Sequence, residues 1–182
     1  QVGESIDFFI SHSWQDDSAS KQRALQELAQ SFHIKHGRYP TFWFDGTCMD
    51  EDVESNLDPL IELPIVIMSC AKILVLLGES YPQRLWCVWE LFVRFAFSKK
   101  GLAASRVVVV PLDSGSPQCE LWKNFERFDV RNAHCYDPNQ EGRLKRVIRE
   151  IGPVDFNQRV QGIATNLREL HGSTHKPHTL SL

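Results

Sequence analysis

Ile73-Leu74-Val75-Leu76-Leu77 is a run of five apolar residues closed by Gly78. It has no polar alternation, so it reads as a strand buried on both faces, the pattern of a parallel sheet covered on two sides. The surrounding window, Leu60 to Gly78, is long enough to cross a bilayer, but it contains Glu62, Pro64 and Lys72. A helix end followed by a buried strand is the better reading, and no membrane segment is expected. Val107-Val108-Val109-Val110-Pro111-Leu112 repeats the continuous apolar character. Asp7 to His12 reads as the first strand, Thr41 to Asp45 as the second, and Ala133 to Tyr136 as a short fifth.

Helical periods fill the intervals. Leu25, Leu28, Ala29 and Phe32 form a stripe that Asp17 or Ser18 caps and Gly37 ends, with Pro40 marking the turn. An irregular helical stretch, broken by Pro59 and Pro64, runs to about Cys70. Leu85, Val88, Trp89, Phe92 and Ala96 mark a helix over about 83–98, and Leu144, Val147, Ile148 and Ile151 mark another with a basic opposite side. Val160, Ile163, Ala164, Leu167 and Leu170 follow Pro153 as an additional helix. Strands alternating with helices mean an α/β fold with a parallel sheet and right-handed crossovers. The expected organisation is a domain over 1–152, a helical extension over 153–172 and a flexible tail over 173–182.

The 182 residues carry 20 Lys and Arg against 23 Asp and Glu. This mildly acidic balance argues against binding nucleic acid by phosphate neutralisation. Five scattered cysteines, an odd number, favour free thiols in a reducing, cytoplasmic setting. Residues 1–10 lack a basic start followed by a long apolar run, so no signal peptide is expected, and the chain reads as a piece of a longer protein. His33 and His36 have chelating spacing but no further ligands close in sequence, so no metal site is expected.

Ligands of such sheets bind beyond the carboxyl ends of the strands. That places attention on Ser11 to Asp16, Asp45 to Asp50 and Gly78 to Trp86. The most informative segment is Ser80-Tyr81-Pro82-Gln83-Arg84-Leu85-Trp86-Cys87-Val88-Trp89-Glu90-Leu91. Trp86 and Glu90 are four apart, so on a helix they stack on one face, here offset from the core stripe. Cys87 reads as packing beneath the helix rather than as a nucleophile.

Phe9-Ile10-Ser11-His12-Ser13-Trp14, Phe44-Asp45 and Arg84 to Leu91, in that order, resemble a TIR (Toll/interleukin receptor) domain over about Asp7 to Ile151. The resemblance implies a flavodoxin-like, three-layer fold with five parallel strands. It also implies that Glu90 is the glutamate of the tryptophan-x-x-x-glutamate pattern in TIR domains that cleave NAD+, in signalling of the innate-immune or cell-death type. NAD+ is then a substrate rather than a cofactor. Nicotinamide leaves as a neutral molecule, so no general acid is needed, unlike in ordinary glycoside hydrolysis. A fixed carboxylate stabilises the positive charge developing on the ribose. Trp86 supplies a flat wall for a substrate ring. The products are nicotinamide and ADP-ribose, or a cyclic ADP-ribose.

The remaining substrate contacts follow from the same resemblance. Ser11, His12, Ser13 and Trp14 are similar to the family segment that lines the pocket. Trp14 can stack on a ring, and His12 can bond a ribose or phosphate oxygen; packing of the strand-to-helix turn is the alternative for both. Arg84, or a helix N-terminus, stands in for the basic residues absent after the first strand. Asp45 matches the family's acidic residue at the second strand end, and Tyr81 completes the set. The acidic loop Gly46 to Glu54 takes the place of the loop through which TIR domains self-associate or meet other TIR domains. The alternative function is a non-catalytic TIR scaffold. A phosphoacceptor receiver lacks its aspartate after the third strand and its lysine after the fifth. A nucleoside deoxyribosyltransferase matches the motifs less well.

Overall fold

A computed structural model describes residues 6–44, 59–99, 101–113 and 115–173. Asp45 and the acidic loop Gly46 to Glu54 lie outside these residues, as do most of the terminal tail. Four strands, β1 (Phe8–His12), β2 (Phe42–Phe44), β3 (Lys72–Leu77) and β4 (Val107–Pro111), form a parallel sheet in the order β2-β1-β3-β4. Among the described residues six helices accompany them: α1 (Ser18–His36), α2 (Pro59–Ser69), α3 (Leu85–Phe97), α4 (Gln118–Glu126), α5 (Pro138–Ile151) and α6 (Pro153–Ser173). The α/β class and the parallel sheet are as read from the sequence.

The strands divide the core by residue parity, because successive side chains point to opposite faces. Phe8, Ile10, Leu74, Leu76 and Val108 pack with Leu28 and Phe32 of α1. Phe9, Ile73, Val75, Leu77, Val107 and Val109 pack with the buried sides of α2 to α6. The result is three layers, with a single described helix on one face. Asp17 caps α1 by accepting from Ser20 N–H at 2.7 Å, and Gly37 ends it at φ 71°, a conformation that favours glycine.

Among the described residues the sheet has four strands, not five. Residues 133–136 form only a parallel bridge, His134 to Arg84, with His134 N–H donating to Gln83 O and Leu85 N–H to His134 O. The fifth-strand position is occupied differently. Val109 N–H, on the edge strand β4, donates to Nε2 of His171 in α6 at 3.3 Å. A helix side chain therefore supplies an acceptor to one edge N–H of β4, as a fifth strand's carbonyl would.

Other departures have local causes. Pro64 sits inside a continuous α2 rather than breaking it. Tyr81–Gln83 form a 3₁₀ turn, so α3 begins at Leu85. Ala96 is exposed, outside the core stripe. The sequence reading passed over α4, whose Leu121, Trp122 and Phe125 are buried against α6. Leu170, the last member of the α6 stripe, is exposed, whereas Val160, Ile163, Ala164 and Leu167 are buried. No described helix is long and apolar enough to cross a membrane.

Candidate functional site

The α3 helix is not amphipathic in the expected sense. Leu85 and every residue from Cys87 to Arg94 are buried, and only Trp86 in the first two turns is partly exposed. A helix buried nearly all round is a central element. Glu90 therefore does not sit on a face offset from the core. It is 2% exposed, a carboxylate inside the layer that covers the sheet. Burying a carboxylate is costly unless its surroundings compensate the charge.

The surroundings of Glu90 are polar and tightly tied. Ser11 Oγ, on β1, lies 2.8 Å from Tyr81 Oη. The Tyr81 hydroxyl also donates to the Cys87 carbonyl at 3.1 Å, in the first turn of α3. Cys87 Sγ donates to His12 O at 3.1 Å, so Cys87 is buried and engaged with the strand backbone. Burial pushes the Tyr81 hydroxyl well above the ordinary phenol range, with electrostatic contributions from Cys87 and Glu90 adding to the effect and the Ser11 hydrogen bond opposing it. Tyr81 stays protonated and acts as a donor.

Strand alternation splits the segment Ser11 to Trp14. Ser11 and Ser13, both 0% exposed, face α3 and its entry loop. His12 faces α1 and lies 6.3 Å from the ring of Phe44 and 5.5 Å from that of Trp14. Burial lowers the His12 pKa below 6.5, Lys21 contributes in the same direction, and Ser13 and Asp16 oppose it. Trp14 is 70% exposed. The structure thus brings Ser11, Tyr81, Cys87 and Glu90 together and sets His12 and Trp14 on the other side of the strand.

Trp86 is half-buried against the α3-side core. Arg84 stands at the N-cap of α3, in the bridge to His134. Cys135 beside it is pushed up to about 11, by burial first and by Glu141 second, so it is not a ready nucleophile. Glu141 is itself held at about 2 by Lys145, with Cys135 N–H and His134 also bonded to it. His33 stacks on Tyr39, and the ring of His36 lies 4.2 Å from that of Phe32, tilted by 34°.

Two cavities among those formed by described residues are lined by neither Glu90 nor Trp86. One, about 410 Å³, lies between α1 and β2, with His12, Phe42, Phe44 and Leu76 in its wall. The other, about 570 Å³, lies at the start of α5 beside Arg143 and Arg146.

Two further groups are part of this architecture, Asp16 at the edge of the region Ser11 to Asp16 and Arg94, which the sequence motifs do not include. Asp16, after β1, accepts from Ser80 N–H at 3.0 Å and from Ser80 Oγ at 2.8 Å. Arg94, 0% exposed, donates to the carbonyls of Ile67 at 2.9 Å, Cys70 at 3.4 Å and Ala71 at 3.0 Å. It caps the end of α2, where the last carbonyls lack helical partners. A lone charge inside Leu91-Phe92-Val93-Arg94-Phe95 was the available signal for it.

No family model matches the chain, and no curated protein matches it either. Among solved structures it is similar to the TIR domains of the activated Roq1 resistosome directly recognizing the pathogen effector XopQ, with 16% identity, a TM-score of 0.44, and coverage of 88% of this chain and 84% of that one. A likeness that distant carries no argument about activity; the residues must.

Proposed function

We propose that the chain is a TIR-type NAD+ glycohydrolase in which Glu90 stabilises the cation that develops on the ribose as nicotinamide leaves. The observation that carries this reading is the burial of Glu90 beside the Ser11, Tyr81 and Cys87 network, on the helix that starts at the carboxyl end of β3. Core packing alone does not select a carboxylate there, and ionisable groups held in costly surroundings concentrate at functional sites. In a site of low polarity a fixed carboxylate acts on a developing positive charge far more strongly than it would in water. Trp86, one turn earlier and half-exposed, forms the wall for a substrate ring. Arg84, at the helix entry, serves the diphosphate. Ser11 and Tyr81 hold the helix start rather than touching substrate, since their hydroxyls bond each other and the Cys87 carbonyl. The remaining proposed substrate contacts are His12 and Trp14, which lie on the α1 side of β1, and Asp45, which is outside the described residues. Activity requires self-association, with other TIR domains as further partners, in a cytoplasmic setting.

The experiment is incubation of concentrated protein with NAD+, with nicotinamide, ADP-ribose and cyclic ADP-ribose identified by mass. Glu90→Ala abolishes product formation while the circular dichroism spectrum is retained. Equal turnover by the variant overturns the assignment.

A second reading is a non-catalytic TIR assembly module. The specific observation in its favour is that Glu90 is 2% exposed and lines neither described cavity. On that reading NAD+ is not consumed, and Glu90→Ala changes stability alone. The basic side of α5, including Arg143, Arg146 and Arg149, then offers a salt-sensitive contact to acidic partners.

A further inference from the structure

We propose that Asp16 is a positioning residue for Glu90, acting through Ser80 and the entry to α3. This rests on the reading of Glu90 given above and extends it. Asp16 lies in the loop after β1, and Ser80 in the loop after β3. These loops sit at the carboxyl ends of adjacent strands, where ligands of parallel sheets bind. One oxygen of the Asp16 carboxylate receives both the backbone N–H and the hydroxyl of Ser80. The same hydroxyl lies 2.6 Å from Ser13 Oγ, which accepts from Gln15 N–H at 3.2 Å. Gly78 makes room for the contact: a Cβ there would collide with the Asp16 carboxylate. The two loops are therefore joined by charge-assisted hydrogen bonds across 64 residues of sequence.

The link to Glu90 is short. Tyr81 follows Ser80 directly, is fully buried, and ties Ser11 to the first-turn carbonyl of Cys87. One 3₁₀ turn, Tyr81–Gln83, and Arg84 separate Ser80 from the first residue of α3. A shift at Ser80 passes through this chain to Trp86 and Glu90. Asp16 touches neither of them, so its effect is on placement. A carboxylate displaced from the ribose loses transition-state stabilisation, which appears in kcat more than in KM.

The test compares wild type, Glu90→Ala, Asp16→Ala, Asp16→Asn and Ser80→Ala for nicotinamide release from NAD+, each below its own melting temperature. Asp16→Ala lowers kcat by about tenfold to a hundredfold with KM nearly unchanged. Asp16→Asn keeps an acceptor oxygen for Ser80 and recovers most of the rate, and Ser80→Ala falls between. Should Asp16→Ala fail to fold, Ser80→Ala and Asp16→Asn carry the same ranking. An active wild type and an inactive Glu90→Ala, with Asp16→Ala and Ser80→Ala at wild-type kcat, overturn this proposal alone. So does a change confined to KM. A wild type that releases no nicotinamide, or a Glu90→Ala equal to it, overturns the reading of Glu90 and this proposal with it.

Discussion

The two faces of the sheet are built by different rules. On the α1 side, Phe8, Ile10, Leu74, Leu76 and Val108 meet Leu28 and Phe32 in a contact of aromatic and aliphatic groups. On the opposite side five helices cover the sheet, and that layer holds Ser11, Tyr81, Glu90 and Arg94 among its buried residues. The first face gains stability from apolar area, which is tolerant of identity so long as volume is kept. The second depends as well on buried donors and acceptors, and one left unmatched costs its desolvation. Polar precision is concentrated on the side where α3 begins, which is the side that a reaction centre would need held still.

The difference can be broken most sharply at Arg94. Arg94→Leu fills the space but strips three carbonyls at the end of α2 of their donor. We expect a loss of about 3 kcal/mol in denaturant unfolding, since hydrogen bonds to charged groups are worth about 1.5–3 kcal/mol each and buried acceptors are left unpaired. A neutral or stabilising result would mean that the buried guanidinium is itself the burden, as happens when buried charges are replaced by apolar groups.

On the other face, Leu28→Ala is expected to cost about 2–4 kcal/mol through lost burial and a residual cavity, Leu28 being 0% exposed. If the faces are separable, nicotinamide release per folded molecule stays at the wild-type value in Leu28→Ala. A matched fall in kcat would couple the α1 layer to the site and erase the distinction.

The legibility of the sequence divides along the same line. Continuous runs such as Ile73 to Leu77 announce a buried strand, because the hydrophobic effect is non-directional and needs no partner to be named. The helical stripes of α1, α5 and α6 are legible for that reason, save Val147 of α5 and Leu170 of α6, which are exposed. The fifth strand misread the same kind of signal. Ala133 to Tyr136 is too short to fix its pairing, and one edge N–H of β4 is satisfied by His171, more than 60 residues away in sequence. Within the candidate site, Trp86 and Glu90 were found by their spacing of four, but the burial of Glu90 was not. It follows from helices packing on both flanks of α3, which no local pattern records. Ser11 and His12 were adjacent in the motif and were grouped together, although the pleat sends them to opposite faces. Asp16 and Ser80 were invisible as a pair, since a hydrogen bond between distant loops leaves no periodicity.

His12 offers the finest comparison, because it is a titratable group of the α1-side wall near Phe44, with Lys21 in the same wall. Burial holds its folded pKa below 6.5, and its Nδ1 atom is buried without a hydrogen-bond partner among the described residues. The native state thus favours the neutral ring. Above pH 6.5 both states are neutral and His12 contributes no pH dependence. As the pH falls below 6.5, the unfolded chain binds the proton first, so stability declines, and the decline levels off once the folded ring also protonates. Melting curves from pH 8 to pH 5 should therefore fall less for His12→Asn than for wild type, by an amount smaller than either substitution above produces. An identical slope in the two proteins would show that protonation of this ring is absorbed without cost, and that the α1 face, too, has a polar outlet at the end of β1.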